Sequence, residues 1–167
     1  CLVDFFATAA DIVGSVSPSG SCEDSVSFLP ALLGKTIPKS SRPGIIHHSF
    51  SGHFAYRMGK WKLVLARGSG GWSSPNERAS TRAPEAQLYD MEDDPSEQNN
   101  LYLEKPDVAK RLLIQLKADV ANGRSIKGPK SKNDIPLENI NIWKSGSGEA
   151  AKAADDKPKS KKKKKAS

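Results

Sequence analysis

Several kinds of protein are excluded by what this sequence has little of. Two of its 167 residues are cysteines, Cys1 and Cys22, and so few leave open whether they pair and indicate no redox compartment. No apolar run approaches the roughly 18 residues that a membrane-spanning helix needs, so no membrane span is predicted. Glycine-rich Gly68–Trp72 is not followed by Gly-Lys-Ser or Gly-Lys-Thr, which excludes a phosphate-binding loop of that type. Because the chain opens at Cys1 rather than at Met, we expect a processed product or a fragment of a longer protein.

A net positive charge is also missing from most of the chain. The formal net charge is +7, but residues 151–167 hold eight lysines against two aspartates, which leaves 18 basic and 17 acidic side chains elsewhere. Residues 145–167 are dominated by Gly, Ala, Ser, Asp and Lys, and we expect a disordered Lys-rich tail. Charge alone would let this tail bind polyanions, so a non-enzymatic polyanion-binding module is one alternative function. No aromatic residue lies between the lysines, which argues against stacking on single-stranded nucleic acid.

The fold is organised around Gly44–Leu101. Within it, His53–Leu65 alternates in character and is interrupted once by Gly59-Lys60, a pair suited to a two-residue hairpin turn. A hairpin folded about this turn has an apolar face made of Phe54, Tyr56, Met58, Trp61, Leu63 and Leu65. Its other face is mixed and cationic and carries His53, Ala55, Arg57, Lys62 and Val64.

Two more strands and a helix complete the predicted unit. A turn at Ser51-Gly52 attaches the strand Gly44–Phe50 and places His48 on the cationic face and His47 on the apolar face. Gln87–Asp90 is the fourth strand. Pro106–Asn122 is predicted to be a helix whose apolar stripe covers the apolar face of the sheet. The fold class is therefore α+β: a four-stranded antiparallel sheet packed on one helix.

The ends of the chain are less regular. Leu2–Val13 is predicted to be a helix with Asp4 as its N-cap, and Val26–Gly34 a short helix. After residue 124 the periodicity is lost, and residues 125–144 are predicted to be a docked arm. That arm would pack through Ile135, Leu137, Ile140, Ile142 and Trp143.

Short motifs in a fixed order carry a resemblance to a known family. They are Val3–Thr8 with Gly14, Asp24–Gly34, Arg42, Ile45–Ser49, Phe54–Leu63, Gln87–Asp90, Asp94-Pro95, Glu97, Asn100-Leu101 and Gly123-Arg124. Their order and spacing resemble the C-terminal portion of formylglycine-dependent sulfatases (arylsulfatases), in the alkaline-phosphatase-like superfamily. The family pattern often has Pro where this chain has Ala7, and the Lys-rich tail has no counterpart in it.

The resemblance implies a parent enzyme with a large α/β domain. Residues 1–43 would be the last helices and connector of that domain, 44–124 its C-terminal subdomain, 125–144 the arm and 145–167 the tail. In the parent, formylglycine from a Cys/Ser-x-Pro-x-Arg motif attacks sulfur beside Ca²⁺. No such motif is found here, so we expect no catalytic or metal-binding residue in this chain and no activity of the chain alone. The resemblance also suggests a periplasmic or secreted location, and a relative that cleaves phosphate or phosphonate esters is a further alternative.

Four residues are candidates for substrate binding: His47, His48, His53 and Arg57. In the family, the loop after the first strand of the C-terminal subdomain approaches the mouth of the active site, where a sulfate ester, such as that of a sulfated glycan, would lie. The alternative is that these side chains meet solvent or the missing N-terminal catalytic domain. Metal chelation by His47 and His48 together is disfavoured, because neighbouring strand residues point to opposite faces. Trp72 is either a sugar- or aryl-stacking residue or the hydrophobic anchor of a mobile loop.

Overall fold

The computed structural model describes residues 1–18, 20–37, 42–76, 78 and 80–140. Its helices are α1 (Phe5–Ile12), α2 (Leu29–Leu32) and α3 (Pro106–Asn122), and its strands are β1 (Ile45–His48), β2 (Phe54–Met58), β3 (Trp61–Val64) and β4 (Gln87–Asp90). Short 3₁₀ turns cover Leu2–Asp4 and Leu137–Asn139. The predictions for Ile142, Trp143 and the Lys-rich tail lie outside the described residues. None of the described helices is long and apolar enough to cross a membrane.

The four strands form one antiparallel sheet in the order β1-β2-β3-β4. The predicted hairpin is confirmed, since Tyr56 pairs with Leu63 and Met58 with Trp61. Its turn begins at Gly59, whose φ of +59° is a conformation that residues with a side chain rarely adopt. The turn therefore sets the register of the hairpin, and the register places one set of side chains toward the core.

The core lies between the sheet and α3, as predicted. Its fully buried side chains are Tyr56, Leu63, Leu88, Leu112 and Leu116, which come from both the sheet and the helix. The helix ends at Gly123, with φ of +65°, and a Cβ there would lie 2.6 Å from the carbonyl oxygen of Ser131. The chain after α3 thus turns back against the end of the helix at Ser131. Further along the same segment, Ile140 packs in the core.

The first strand differs from the prediction by one residue. Its register pairs Ile46 with Tyr56 and His48 with Phe54, so His48 lies on the core side, not on the cationic face. His47 pairs with Ala55 and lies on the cationic face instead. The cause is the turn: the amide of Ser49 donates to the carbonyl of His53 at 2.9 Å, so three residues rather than two connect the strands. One extra residue in a turn moves every side chain of the strand to the opposite face.

The N-terminal helix is shorter than the predicted Leu2–Val13, since α1 covers Phe5–Ile12. Asp4 stands at the N-cap position of α1, but its side chain makes no capping hydrogen bond. Its carboxylate instead accepts hydrogen bonds from the amide of Val26 at 2.9 Å and from the guanidinium of Arg42 at 2.8 and 2.9 Å. Within the predicted helix Val26–Gly34, the α-helix covers Leu29–Leu32 (α2). The segment leaves several large apolar side chains exposed: Leu2, Val3, Phe5, Phe6, Ile12, Val13, Val16, Leu32 and Leu33.

Candidate functional site

A cavity of about 520 Å³ opens on the face of the sheet that α3 does not cover. The alternation of side chains along β1, β2 and β3 directs His47, Arg57 and Lys62 to this face, because each strand places every second residue on the same side. The loop Gly68–Gly70 closes one edge. We call this space the cationic cavity; its lining also includes His48, Ser49, His53, Ala55, Val64, Gln87, Met91 and Glu97.

The cavity brings two permanent cations beside a histidine. Lys62 Nζ lies 2.5 Å from Oε1 of Glu97, which offsets part of its charge. Arg57 is exposed, and its Nε donates a long hydrogen bond of 3.4 Å to the carbonyl of Gly59. Burial, together with the charges of Lys62 and Arg57, lowers the pKa of His47 below its ordinary value. The ring of His47 is therefore mainly neutral near pH 7, and a bound anion would favour its protonation.

His53 is oriented by two hydrogen bonds. Its amide donates to Oγ of Ser49 at 3.1 Å, and its Nδ1 lies 3.1 Å from the carbonyl oxygen of Leu65. Because a carbonyl oxygen can only accept, Nδ1 carries the proton in this arrangement, and Nε2 is left as an acceptor. A neutral His53 would thus offer an acceptor to a ligand hydroxyl.

The structure places three of the four candidate side chains, those of His47, His53 and Arg57, on one face, and the ring of His48 elsewhere. The His48 ring packs against Phe54 with centroids 4.2 Å apart. His48 thus borders both the cationic cavity and a second cavity of about 530 Å³, which is enclosed by the core side of β1, the end of α3 and the N-terminal segment. The predicted grouping of His48 with His53 and Arg57 is therefore wrong, and His47 takes that position.

Two features of the site were not predicted from the sequence. The first is Glu97, which reaches Lys62 from a turn 35 residues later. The second is the contact of Phe50 with Trp72, whose ring centroids lie 4.2 Å apart. Opposite charge alone would not have selected Glu97 from the other acidic residues of its turn. Nothing in the periodicity links Phe50 to Trp72.

The described residues do not fit the calcium ion that the resemblance implies, and the sequence lacks the motif of its nucleophile. Within the described part of the chain, no three His, Cys, Asp or Glu side chains are grouped so that they could hold a metal ion. The sequence has no Cys/Ser-x-Pro-x-Arg motif. No step of sulfate-ester cleavage is therefore assigned to these residues. What the cationic cavity can do is bind an anionic or hydroxyl-rich ligand.

Comparison with known proteins finds sulfatases. A curated N-acetylgalactosamine-6-O-sulfatase of Bacteroides thetaiotaomicron is 32% identical over 113 residues, which are 66% of this chain and 21% of that protein. A solved sulfatase structure from work on glycosaminoglycan metabolism by Bacteroides thetaiotaomicron is 28% identical, with a TM-score of 0.54 over 69% of this chain and 24% of that one. A structure in complex with its substrate D-glucosamine-2-N,6-O-disulfate shares the fold, with a TM-score of 0.51 at 24% identity over 78% of this chain and 25% of that one. No protein-family profile matches the sequence. The chain thus spans about a quarter or less of the length of these relatives.

Proposed function

Because this chain belongs to the sulfatase family, we propose that it is the C-terminal part of a sulfuric ester hydrolase and shapes the pocket for a sulfated glycan. The observation that carries the proposal is the cationic cavity. Its Arg57 has a planar fork of donors that suits sulfate or carboxylate, and Lys62 adds a second cation whose charge Glu97 partly offsets. The histidines are suited to the hydroxyl groups of a sugar.

In this proposal the chemistry is supplied by a preceding catalytic domain. Formylglycine and Ca²⁺ would be bound there, and this chain would brace that domain. The exposed apolar side chains of residues 1–34 support the bracing role, because an exposed apolar patch of this kind commonly marks an interaction surface. The Asp4–Arg42 ion pair would connect this N-terminal surface to the segment that leads into β1.

The substrate class follows from the charge and the relatives together. One relative is named as an N-acetylgalactosamine-6-O-sulfatase, which makes a 6-O-sulfated hexosamine the first ligand to test. Contacts made to parts of a substrate that do not react affect its binding more than the bond-breaking step. The cationic cavity should therefore select among sulfated glycans and leave the cleavage of small esters almost unchanged.

The test uses the intact sulfatase with Arg57→Ala and His47→Ala. We expect each variant to lower kcat/KM about 5- to 150-fold on a disaccharide ending in N-acetylgalactosamine 6-sulfate, the effect of losing about 1–3 kcal/mol of charged or polar contact. A small aryl sulfate should be cleaved nearly as well as by the wild type. Arg111→Ala is the matched control, because Arg111 is an exposed cation on α3, on the other side of the sheet from the cavity.

Three outcomes would contradict the proposal. Equal losses on both substrates with a lowered melting temperature would mean that these side chains only hold the enzyme together. An unchanged kcat/KM in both variants would remove the cavity from substrate binding. Faster cleavage of the matching phosphate ester than of the sulfate ester would favour a phosphate- or phosphonate-cleaving relative.

A further inference from the structure

Two large aromatic side chains stand exposed beside the cationic cavity. Phe50 lies in the turn between β1 and β2 and is 74% exposed, and Trp72 lies in the loop after β3 and is 83% exposed. Their rings contact each other at 4.2 Å between centroids, with an angle of 45° between the planes. They come from separate loops and are brought together without being buried. We call this pair the aromatic platform.

The aromatic platform adjoins the rim of the cationic cavity. Ser49 and Gly70, which precede its two aromatic residues by one and two positions, both line the cavity. A Cβ on Gly70 would lie 3.0 Å from the side chain of Ser49, so the two loops are in direct contact at this point. Gly70 has φ of +69°, a further reason why glycine is suited to that position. The platform is thus continuous with the cavity through the residues that join them.

The loop that carries Trp72 is fixed by its own hydrogen bonds. Oγ of Ser69 donates to the carbonyl of Ser73 at 2.7 Å and accepts from the amide of Gly71 at 3.2 Å. The side-chain amide of Gln87, in β4, donates to the carbonyl of Gly68 at 2.8 Å. Trp72 is not buried as a hydrophobic anchor would be. It is presented to solvent by a loop that is tied to the sheet.

From this arrangement we infer that the aromatic platform binds a second sugar ring of a sulfated oligosaccharide, next to the sugar whose charge the cationic cavity holds. The inference rests on the function proposed above and extends it to a longer substrate. A pyranose ring has an apolar face of C–H groups that packs on an aromatic ring, and its hydroxyls stay in water. Tryptophan provides the largest such surface with few rotatable bonds to order.

A sulfated sugar chain could bind to the cationic cavity and to the aromatic platform at the same time. A cavity lined by cations, with exposed aromatic rings adjoining its rim, complements a ligand that alternates sulfate groups with apolar ring faces. A protein segment laid over both rings would also have to cover Ser49 and Gly70, and so close the edge of the cationic cavity that the platform adjoins. A sulfated oligosaccharide fills the two sites together.

The test compares substrates of different length in the intact sulfatase. We use an aryl sulfate, and oligosaccharides of two and six sugars that end in N-acetylgalactosamine 6-sulfate. Trp72→Ala is expected to lower kcat/KM about five- to tenfold on both oligosaccharides, which both have a second ring, mainly through KM, as expected for loss of one aromatic stacking contact. Phe50→Ala should act in the same direction, Trp72→Phe should retain most of the activity, and the aryl sulfate should be unaffected. Ile114→Ala, an exposed apolar residue on α3, is the control for loss of surface area.

The failure of this inference is distinguishable from failure of the proposed function. If Trp72→Ala leaves every substrate unchanged while Arg57→Ala still impairs the oligosaccharides, the platform has no role and the cationic cavity keeps its own. If neither variant distinguishes oligosaccharide from aryl sulfate, both ideas are wrong. If Trp72→Ala lowers the melting temperature and slows all substrates equally, another part of the protein covers the rings, which overturns the inference.

Discussion

The hydroxyl of Tyr56 in β2 donates a 2.8 Å hydrogen bond to Oδ2 of Asp119 in α3, 63 residues later. Both residues are buried, at 0% and 6% exposure. Burial raises the pKa of Asp119, an effect that the hydrogen bonds from Tyr56 and Gln115 partly oppose. Burial and the Asp119 carboxylate in turn raise the pKa of Tyr56. This polar pair lies within an apolar interface, so it fixes how the helix sits on the sheet.

Removing the hydroxyl should destabilise the fold. Tyr56→Phe keeps the ring but takes away one donor to a buried carboxylate, so the free energy of unfolding should fall by about 1–3 kcal/mol. Urea denaturation followed by circular dichroism measures it. Tyr102→Phe is the matched control, because the Tyr102 hydroxyl bonds to Glu85 at an exposed site. Similar small losses in the two variants would show that the Tyr56–Asp119 bond contributes little.

The same pair predicts a pH dependence of stability. The folded-state pKa of Asp119 is raised above 3.8, so protonation of this group favours the folded state. Its contribution is fully present below pH 3.8 and is lost as the pH rises through the folded-state pKa. Asp119→Asn removes the ionisation but keeps an acceptor for Tyr56. The stability of the wild type relative to the variant should therefore decline from pH 4 toward pH 7, and a constant difference would contradict this.

The sequence predicts the fold better than the site, because the fold depends on local patterns and the site depends on contacts between distant parts of the chain. The hairpin register depends on a local turn, Gly59-Lys60, and it was predicted correctly. The β1 register depends on whether Phe50 belongs to the strand or to the turn, and alternation alone does not decide between them. Because Phe50 belongs to the turn, His47 lies on the cationic face and His48 on the core side, the reverse of the prediction. The pairing of Lys62 with Glu97 requires the whole sheet to form first, so no local pattern indicates it.

The Asp4–Arg42 pair should make the N-terminal segment sensitive to acid. Burial alone would raise the pKa of Asp4, but hydrogen bonds from Arg42 and Val26 lower it below 3.8. Its contribution to stability is present above pH 3.8 and is lost as the pH falls through the folded-state pKa. Arg42→Ala should cost about 1–3 kcal/mol near pH 7 and less in acid. Arg111→Ala, at an exposed position on α3, serves as the control in the same denaturation series.

The Lys-rich tail offers a test of the polyanion-binding alternative. Deleting residues 151–167 removes eight lysines and two aspartates, a formal charge of +6. Retention on a heparin column should weaken and become less dependent on salt. We expect the melting temperature and the kcat/KM of the intact sulfatase on an aryl sulfate to stay unchanged. Loss of all glycan processing on deletion, with the cavity variants silent, would favour the tail as the working part.

Binding of a sulfated ligand should strengthen as the pH falls, through His47. Arg57 and Lys62 face His47 from β2 and β3, Glu97 offsets Lys62, and burial together with the two cations keeps the pKa of His47 below 6.5. A bound sulfate group would favour the protonated ring, so the cationic cavity gains a positive charge as the pH drops below that value.

For the intact sulfatase, the KM for the sulfated disaccharide should therefore fall between about pH 8 and about pH 5.5. The decrease should be about fivefold larger than in His47→Asn, since one added charge at close range contributes about 1 kcal/mol. Burial also lowers the pKa of His48, which borders the same cavity, so His48→Asn is the necessary comparison. His48→Asn should keep the wild-type pH profile, because its ring lies on the core side of β1 against Phe54. A profile flattened by His48→Asn and not by His47→Asn would reverse the assignment and return His48 to the ligand.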